Sequence, residues 1–105
     1  MMRIEINTAD GVERSPALDE HVHDKLARIE RHFGDRLTQV RVFLKDVNAG
    51  KGGIDKCCHL EARPAHHDPV VVEAMDSDVY RVVNDAADKL DRALEHRLSR
   101  AEAWR

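Results

Sequence analysis

Two sets of basic side chains recur at helical spacing, and their chemistry suits contact with phosphate groups. The first set follows intervals of four, three and four residues and consists of His21, Lys25, Arg28 and His32. The second set, which Asp85 interrupts, consists of Arg81, Lys89, Arg92, His96 and Arg100. At 100° per residue, each set falls on one flank of a helix. Cations repeated along a helix face are typical of a surface that binds nucleic-acid phosphates.

Acidic residues accompany the cations on both segments. On the first segment Asp19, His23 and Glu30 occupy the opposite flank, with Asp24 and Arg31 on the outer surface. The second segment carries a separate acidic set, which consists of Asp88, Asp91, Glu95 and Glu102. The chain has 17 Lys+Arg and 20 Asp+Glu, a net charge of −3, which does not favour a nucleic-acid partner. Two interpretations of these charges remain open. One is a solvated helix surface with ion pairs four residues apart, and the other is a phosphate-binding surface.

Two short clusters contain residue types that ligate metals, namely Cys57-Cys58-His59 and His66-His67-Asp68. Their spacing matches no zinc-finger pattern, and consecutive strand residues point to opposite faces. At most Cys57 and His59 share a face, joined by His66 or His67 from a turn. The residues therefore favour no metal site, with Cys58 packed beneath the helices and Cys57 a half-exposed thiol.

No arrangement of residues predicts catalysis. The carboxylates lie on helix exteriors rather than around a pocket, and no glycine-rich segment joins a strand to a helix. The sequence therefore predicts a protein that is not an enzyme, with no cofactor and no small-molecule substrate.

Changes in the hydrophobic period define the elements that position these residues. Alternation predicts strands over 3–7, 40–45, 57–64 and 70–74, and apolar spacing predicts one helix over 16–33 and another that begins after Ser77. The short connections between the last three strands favour an antiparallel meander. The predicted fold class is α+β, a β-α-β-β-β-α two-layer sandwich with both helices on one face of a four-stranded sheet. Its length suits one domain over residues 1–105.

Local signals refine these elements. Ser15, before Pro16, and Ser77 are the predicted helix N-caps, and Gly34 is the predicted stop of the first helix. The first helix is expected to bury Leu18, Val22, Leu26, Ile29 and Phe33. The second is expected to bury Tyr80, Val83, Ala87, Leu90, Leu94 and Leu98. The glycine-containing segment 46–56 is predicted to be a mobile loop, and Phe43 to lie on the sheet face opposite the helices.

The two adjacent cysteines cannot build a disulfide framework, and no apolar run resembles a signal peptide or a membrane span. The sequence therefore predicts a reduced cytoplasmic domain that does not contact a membrane.

The order and spacing of several motifs resemble the ribosome hibernation-promoting factors, also called ribosome-associated inhibitors or sigma-factor-modulating proteins. The matching stretches are 15–18 (Ser-Pro-Ala-Leu), 25–33 (Lys-Leu-Ala-Arg-Ile-Glu-Arg-His-Phe), 40–44 (Val-Arg-Val-Phe-Leu), 78–80 (Asp-Val-Tyr), Asp85 and 88–90 (Asp-Lys-Leu). The resemblance covers almost the whole chain, which looks like the short form of the family. It implies a single ribosome-binding domain with a fold similar to the double-stranded-RNA-binding domain.

The resemblance also implies a partner and a mechanism. Members of the family bind ribosomal RNA in the small ribosomal subunit at the decoding channel, and they silence or store ribosomes in starved, stationary-phase cells. Matching positions imply RNA contacts at Lys25, Arg28, Lys89 and Arg92. Arg31 on the outer surface of the first helix, with Arg81 and Arg100 of the second basic set, completes the candidate RNA-binding residues.

This chain departs from the family at the end of the second helix, which has fewer cations and adds Asp91 and Glu95. Because phosphate neutralisation supplies much of RNA affinity, these changes bear on how tightly the chain binds. Two alternatives stay open. One is a protein-binding regulator that uses a sheet edge or the face around Phe43, and the other is a small metal or redox domain.

Overall fold

The computed structural model describes residues 2–9, 11–47 and 55–103, with side chains described as far as residue 99. The strands are β1 (Arg3–Thr8), β2 (Leu37–Asp46), β3 (Lys56–Pro64) and β4 (Val70–Asp76). The helices are α1 (Pro16–Phe33) and α2 (Val79–Ala103), with a 3₁₀ turn (Gly34–Arg36) between α1 and β2. This order confirms the predicted succession of elements. No helix in the described part of the chain combines the length and apolar character needed to cross a membrane.

The four strands form one mixed sheet in the order β1-β2-β3-β4. Strands β2, β3 and β4 pair antiparallel, which confirms the predicted meander. Strand β1 pairs parallel with β2, and Ile6 lies opposite Val42. A parallel neighbour requires a crossover connection, and α1 supplies it.

The core lies between the sheet and the two helices. Leu26 and Ile29 of α1 are each 1% exposed, and Leu90 and Leu94 of α2 are fully buried. They pack in one cluster with buried strand residues such as Val42. The α+β sandwich predicted from hydrophobic spacing is therefore confirmed.

The predicted signals set both ends of α1. Ser15 is extended, and its hydroxyl accepts a hydrogen bond from the Leu18 N–H at 3.1 Å. Pro16 follows at the first helical position, where its missing N–H costs nothing. Gly34 ends the helix with φ 57°, and its N–H donates to the Glu30 carbonyl.

The start of α2 differs from the prediction at two residues. Asp78, not Ser77, caps the helix, because its Oδ1 accepts from the N–H of Tyr80 at 2.7 Å. Tyr80 is 38% exposed, so its predicted place in the core is wrong. Burial centres instead on residues such as Val82, and the Tyr80 ring lies beside α1, where it meets His21 edge-on with centroids 5.1 Å apart.

The β2–β3 hairpin begins and ends differently from the predicted loop. Asp46 and Lys56 belong to the strands, which therefore extend further than the alternation indicated. Lys56 Nζ donates to Asp46 Oδ2 at 3.0 Å and to Asp55 Oδ2 at 3.1 Å, and these bonds raise the pKa of Lys56. Residues 48–54, which carry the predicted mobility, lie outside the described residues.

Gly11 sits where the chain approaches β2 too closely for a side chain. Its φ is 81°, and an added Cβ would lie 2.5 Å from Asp46 Cβ. We expect Gly11→Ala to lower the free energy of unfolding by about 2 kcal/mol or more, through left-handed strain plus overlap. Urea denaturation measures this loss.

Gly34→Ala is the matched control, because Gly34 has φ 57° but nothing lies within 4 Å of its added Cβ. The cost of Gly34→Ala should reflect the backbone alone, about 1–2 kcal/mol, because φ 57° with ψ −134° is a conformation that L residues rarely adopt. If the two substitutions lowered the free energy of unfolding equally, that result would contradict the close approach of Asp46 to Gly11.

Candidate nucleic-acid interface

The flank of α1 that carries the first basic set lies against α2. Towards the start of α1, His21 Nε2 lies 2.8 Å from Asn84 Oδ1. At its end, His32 Nδ1 lies 2.8 Å from Asp91 Oδ1. Because the contacts advance along both helices together, α1 and α2 run side by side in the same direction.

Lys25 and Arg28, here called the α1 cluster, occupy the same flank between those two histidines. Both side chains are exposed and border the cleft between the helices. Among the residues whose side chains are described, neither takes part in a hydrogen bond or an ion pair. The two positive charges of the α1 cluster therefore have no direct partner among the described side chains.

Lys89 and Arg92, here called the α2 cluster, lie on the other side of α2, above the edge strand β4. Lys89 Nζ donates to the Glu73 carbonyl at 3.0 Å. Both cations line a shallow groove with Ala74 and Met75 of that strand and with the carboxylates Asp85 and Asp88 of α2. Since a carbonyl is neutral, Lys89 is held in place without losing its charge.

An acidic surface separates the two clusters, and we call it the acidic side of α2: Asp88, Asp91 and Glu95. Asp91 contacts His32 of α1, which places this side towards the α1 cluster. The candidate site therefore consists of two basic clusters that flank carboxylates, rather than one continuous basic patch.

The remaining predicted RNA-binding residues fall around these clusters. Arg31 and Arg81 are exposed. The pKa of the Asp76 carboxyl is lowered mainly by the hydrogen bond from the Asp78 N–H and, less strongly, by the nearby Arg81 charge. Arg100 belongs to α2, and its side chain lies outside the described residues.

The outer face of the sheet, opposite the helices, has charges that largely compensate one another. Arg63 Nη2 lies 2.9 Å from Glu61 Oε1. Arg41 Nε lies 3.1 Å from Glu5 Oε2, although it is not aligned for a hydrogen bond. Arg41 and Arg63 are thus less available to phosphates than the α1 cluster, whereas Lys45 on this face is exposed and has no ion pair among the described residues.

The same outer face exposes apolar side chains. Phe43 is 37% exposed, which confirms its predicted position, and Val71 and Met75 are 51% and 46% exposed. Phe43 meets the His59 ring edge-on and lines a groove that also contains Cys57. This surface is a second candidate for contact with a partner.

The sequence clusters of metal-ligand residue types do not come together. Cys57 and His59 lie near the start of β3, whereas His66 and His67 follow its end. Cys57 is 3% exposed, so the expectation of a half-exposed thiol is wrong, because its neighbours on the sheet cover it. Burial raises the pKa of Cys57, and burial raises that of Cys58 to about 12.

We expect both thiols to be unreactive in the folded protein, because the thiolate is the nucleophile and both pKa values are raised. At pH 8, Ellman's reagent should modify neither Cys57 nor Cys58 rapidly. Both should react at once in guanidinium chloride. Rapid modification of Cys57 in the native protein would contradict its burial and favour a redox role.

The contacts that join the helices were not predicted. His21 and His32 belong to the first basic set, but both contact α2, so neither is available to a phosphate in the way that Lys25 and Arg28 are. Their separation of eleven residues, three helical turns, was a signal that they share one seam. The sequence did not show which side of α2 would complete that seam.

Comparisons with known proteins support an assignment to a family. A 38% identical protein, the ribosome hibernation promoting factor of Azotobacter vinelandii, matches over 78 residues, 74% of this chain and 66% of the relative. The ribosome hibernation promoting factor of Pseudomonas putida is 34% identical over 84 residues, 80% of this chain and 76% of the relative. The match therefore spans slightly less than two thirds of the Azotobacter relative.

Solved structures share the fold. The N-terminal domain of Thermus thermophilus Protein Y superposes with a TM-score of 0.75 at 26% identity, covering 90% of this chain and 98% of that one. A ribosomal subunit interface protein from Coxiella burnetii gives 0.72 at 24% identity, covering 98% and 99%, which bears on the fold alone. The family model for the sigma 54 modulation protein / S30EA ribosomal protein matches residues 5–102. This chain therefore belongs to the sigma 54 modulation protein / S30EA ribosomal protein family.

Proposed function

We propose that this protein is a translation regulator that binds the ribosomal RNA of the small subunit at the decoding channel and silences or stores ribosomes under stress. Membership of the family and the names of its curated relatives support a ribosomal partner. The arrangement of charge on the two helices supports the surface it uses.

The observation that carries the proposal is the contrast between the two faces of the molecule. Among the described side chains, the cations of the α1 cluster take part in no hydrogen bond or ion pair, and Lys89 of the α2 cluster donates its hydrogen bond to a neutral carbonyl. On the outer face, Arg63 and Arg41 lie within 3.1 Å of carboxylates. Phosphates gain most from cations whose charge is not already neutralised.

The proposed mechanism is steric and involves no catalytic step. Both helices are fixed to the sheet through buried residues such as Ile29 of α1 and Leu90 of α2, so the spacing of the two clusters is rigid. A rigid pair of basic clusters can meet two separate stretches of RNA backbone, which is recognition by shape rather than by sequence. The bound domain would occupy space that transfer RNA and messenger RNA require.

The acidic side of α2 lies between the clusters and should weaken long-range attraction to RNA. Binding therefore depends on short-range contacts, and it should be sensitive to salt. With four phosphate contacts, a rise from 50 to 200 mM salt should weaken binding by about 150-fold.

Cosedimentation of purified protein with isolated ribosomal subunits tests the proposal. We expect saturable binding to small subunits and not to large subunits, with the salt dependence given above. Binding to large subunits alone, or binding to small subunits that salt does not weaken, would contradict it.

A second candidate function is a regulator that binds another protein through the outer face. The exposed Phe43, Val71 and Met75 favour it, because apolar side chains on a sheet face suit a protein partner better than phosphates. Under this alternative, Phe43→Ser should remove binding while substitutions in the α1 and α2 clusters should not.

A further inference from the structure

Three potential metal ligands converge where the end of α1 meets α2. His32 from α1 and two carboxylates from α2, Asp91 and Glu95, place ligand atoms within 4.8 Å of one another. The carboxylates are four residues apart and so share one side of α2. The donors are thus a nitrogen and two oxygens contributed by two separate elements.

The histidine is already oriented towards the carboxylates. Its Nδ1 lies 2.8 Å from Asp91 Oδ1, and its ring stacks on Phe33 with centroids 4.2 Å apart and planes at 29°. Phe33 is itself 4% exposed and belongs to the core cluster, so the ring rests on a fixed surface. Little further ordering of the imidazole is needed before it can ligate an ion.

We propose that His32, Asp91 and Glu95 form a binding site for a divalent transition-metal ion, with Zn²⁺ as the best match. One imidazole and two carboxylates leave a fourth tetrahedral position for water, and imidazole disfavours Mg²⁺ and Ca²⁺. The Nδ1 atom binds the metal through its lone pair. If the imidazole is neutral, its proton lies on Nε2; if the imidazole is protonated, the Nδ1 proton is released to solvent when the metal binds. The site does not depend on the proposed function.

The ion would change both the contact between the helices and the charge between the basic clusters. In place of one hydrogen bond, it would join α1 to α2 through three ligands. It would also neutralise Asp91 and Glu95, which belong to the acidic side of α2. The predicted site uses neither Cys57 nor His59, so it is distinct from the clusters that the sequence suggested.

Isothermal titration calorimetry of chelator-treated protein with ZnCl₂ alone tests the site. We expect one ion per chain with a Kd of about 10 μM or tighter, and a Tm raised by about 10 °C or more when free Zn²⁺ is about 100-fold above Kd. His32→Ala and Asp91→Asn should each weaken binding by at least about 10-fold.

The matched controls are His23→Ala and Asp85→Asn, an exposed histidine and an exposed carboxylate outside the three-residue group. Neither should change the Kd by more than about 2-fold. The proposal is overturned if no saturable binding occurs, or if binding survives His32→Ala. Loss of binding on Cys57→Ser but not on Asp91→Asn would also overturn it, since the ion would then lie on the outer face.

Discussion

Reversing the charge of either basic cluster should weaken binding to small ribosomal subunits by about 100-fold or more. Lys25→Glu with Arg28→Glu tests the α1 cluster, and Lys89→Glu with Arg92→Glu tests the α2 cluster. Each lost contact is a charge-assisted hydrogen bond, and each new carboxylate repels phosphate. All four side chains are exposed, so the free energy of unfolding should change little. Equilibrium cosedimentation at fixed salt measures the loss.

Because the clusters lie on opposite sides of α2, reversing both should weaken binding further than reversing either alone. The matched control changes the net charge equally but in the opposite direction, with Asp88→Lys and Glu95→Lys on the acidic side of α2. We expect this control to preserve binding or to tighten it. Wild-type affinity in the variant with both clusters reversed would refute the proposed RNA-binding surface.

The largest loss of stability should follow truncation of the core beneath the α2 cluster. Leu90 is fully buried in the hydrophobic core that joins α2 to the sheet. Leu90→Ala should lower the free energy of unfolding by about 2–5 kcal/mol, from lost transfer energy and the cavity left behind. For a domain with about 5–15 kcal/mol in total, that is a large fraction. Urea denaturation with an unchanged m-value measures it.

Val71→Ala is the control, since Val71 is 51% exposed on the outer face. Its cost should stay within about 0.5 kcal/mol. Similar losses from the two substitutions would show that α2 is not fixed to the sheet through Leu90.

Much of the fold could be predicted because hydrophobic period and capping act locally. The spacing from Leu18 to Phe33 located the buried face of α1, and Ser15 and Gly34 located its ends. Tyr80 was misplaced because its spacing from Val83 matches an apolar face, while only the packing of α1 decides which flank is covered. Apolar spacing identifies the buried face of a helix, but it does not show which neighbouring element covers the flanks of that face.

The candidate site was predictable only as separate sets of charges. Sequence placed Lys25 and Arg28 on one flank, and Lys89 and Arg92 on another, from the 100° step alone. The sequence could not show that carboxylates such as Asp91 lie between the two basic clusters, because the position of these carboxylates depends on how α1 and α2 pack. For the same reason, the Cys57 thiol was expected at the surface, whereas neighbouring side chains of the sheet cover it.

Protection of lysine amines from acylation in the complex with small subunits tests the central claim most directly. Lys25 and Lys89 belong to the two basic clusters, whereas Lys45 is exposed on the outer face and serves as an internal control. We expect bound protein to show strong protection of Lys25 and Lys89, with Lys45 reacting as it does in free protein. Protection of Lys45 with full reactivity at Lys25 and Lys89 would contradict the account and place the partner on the outer face.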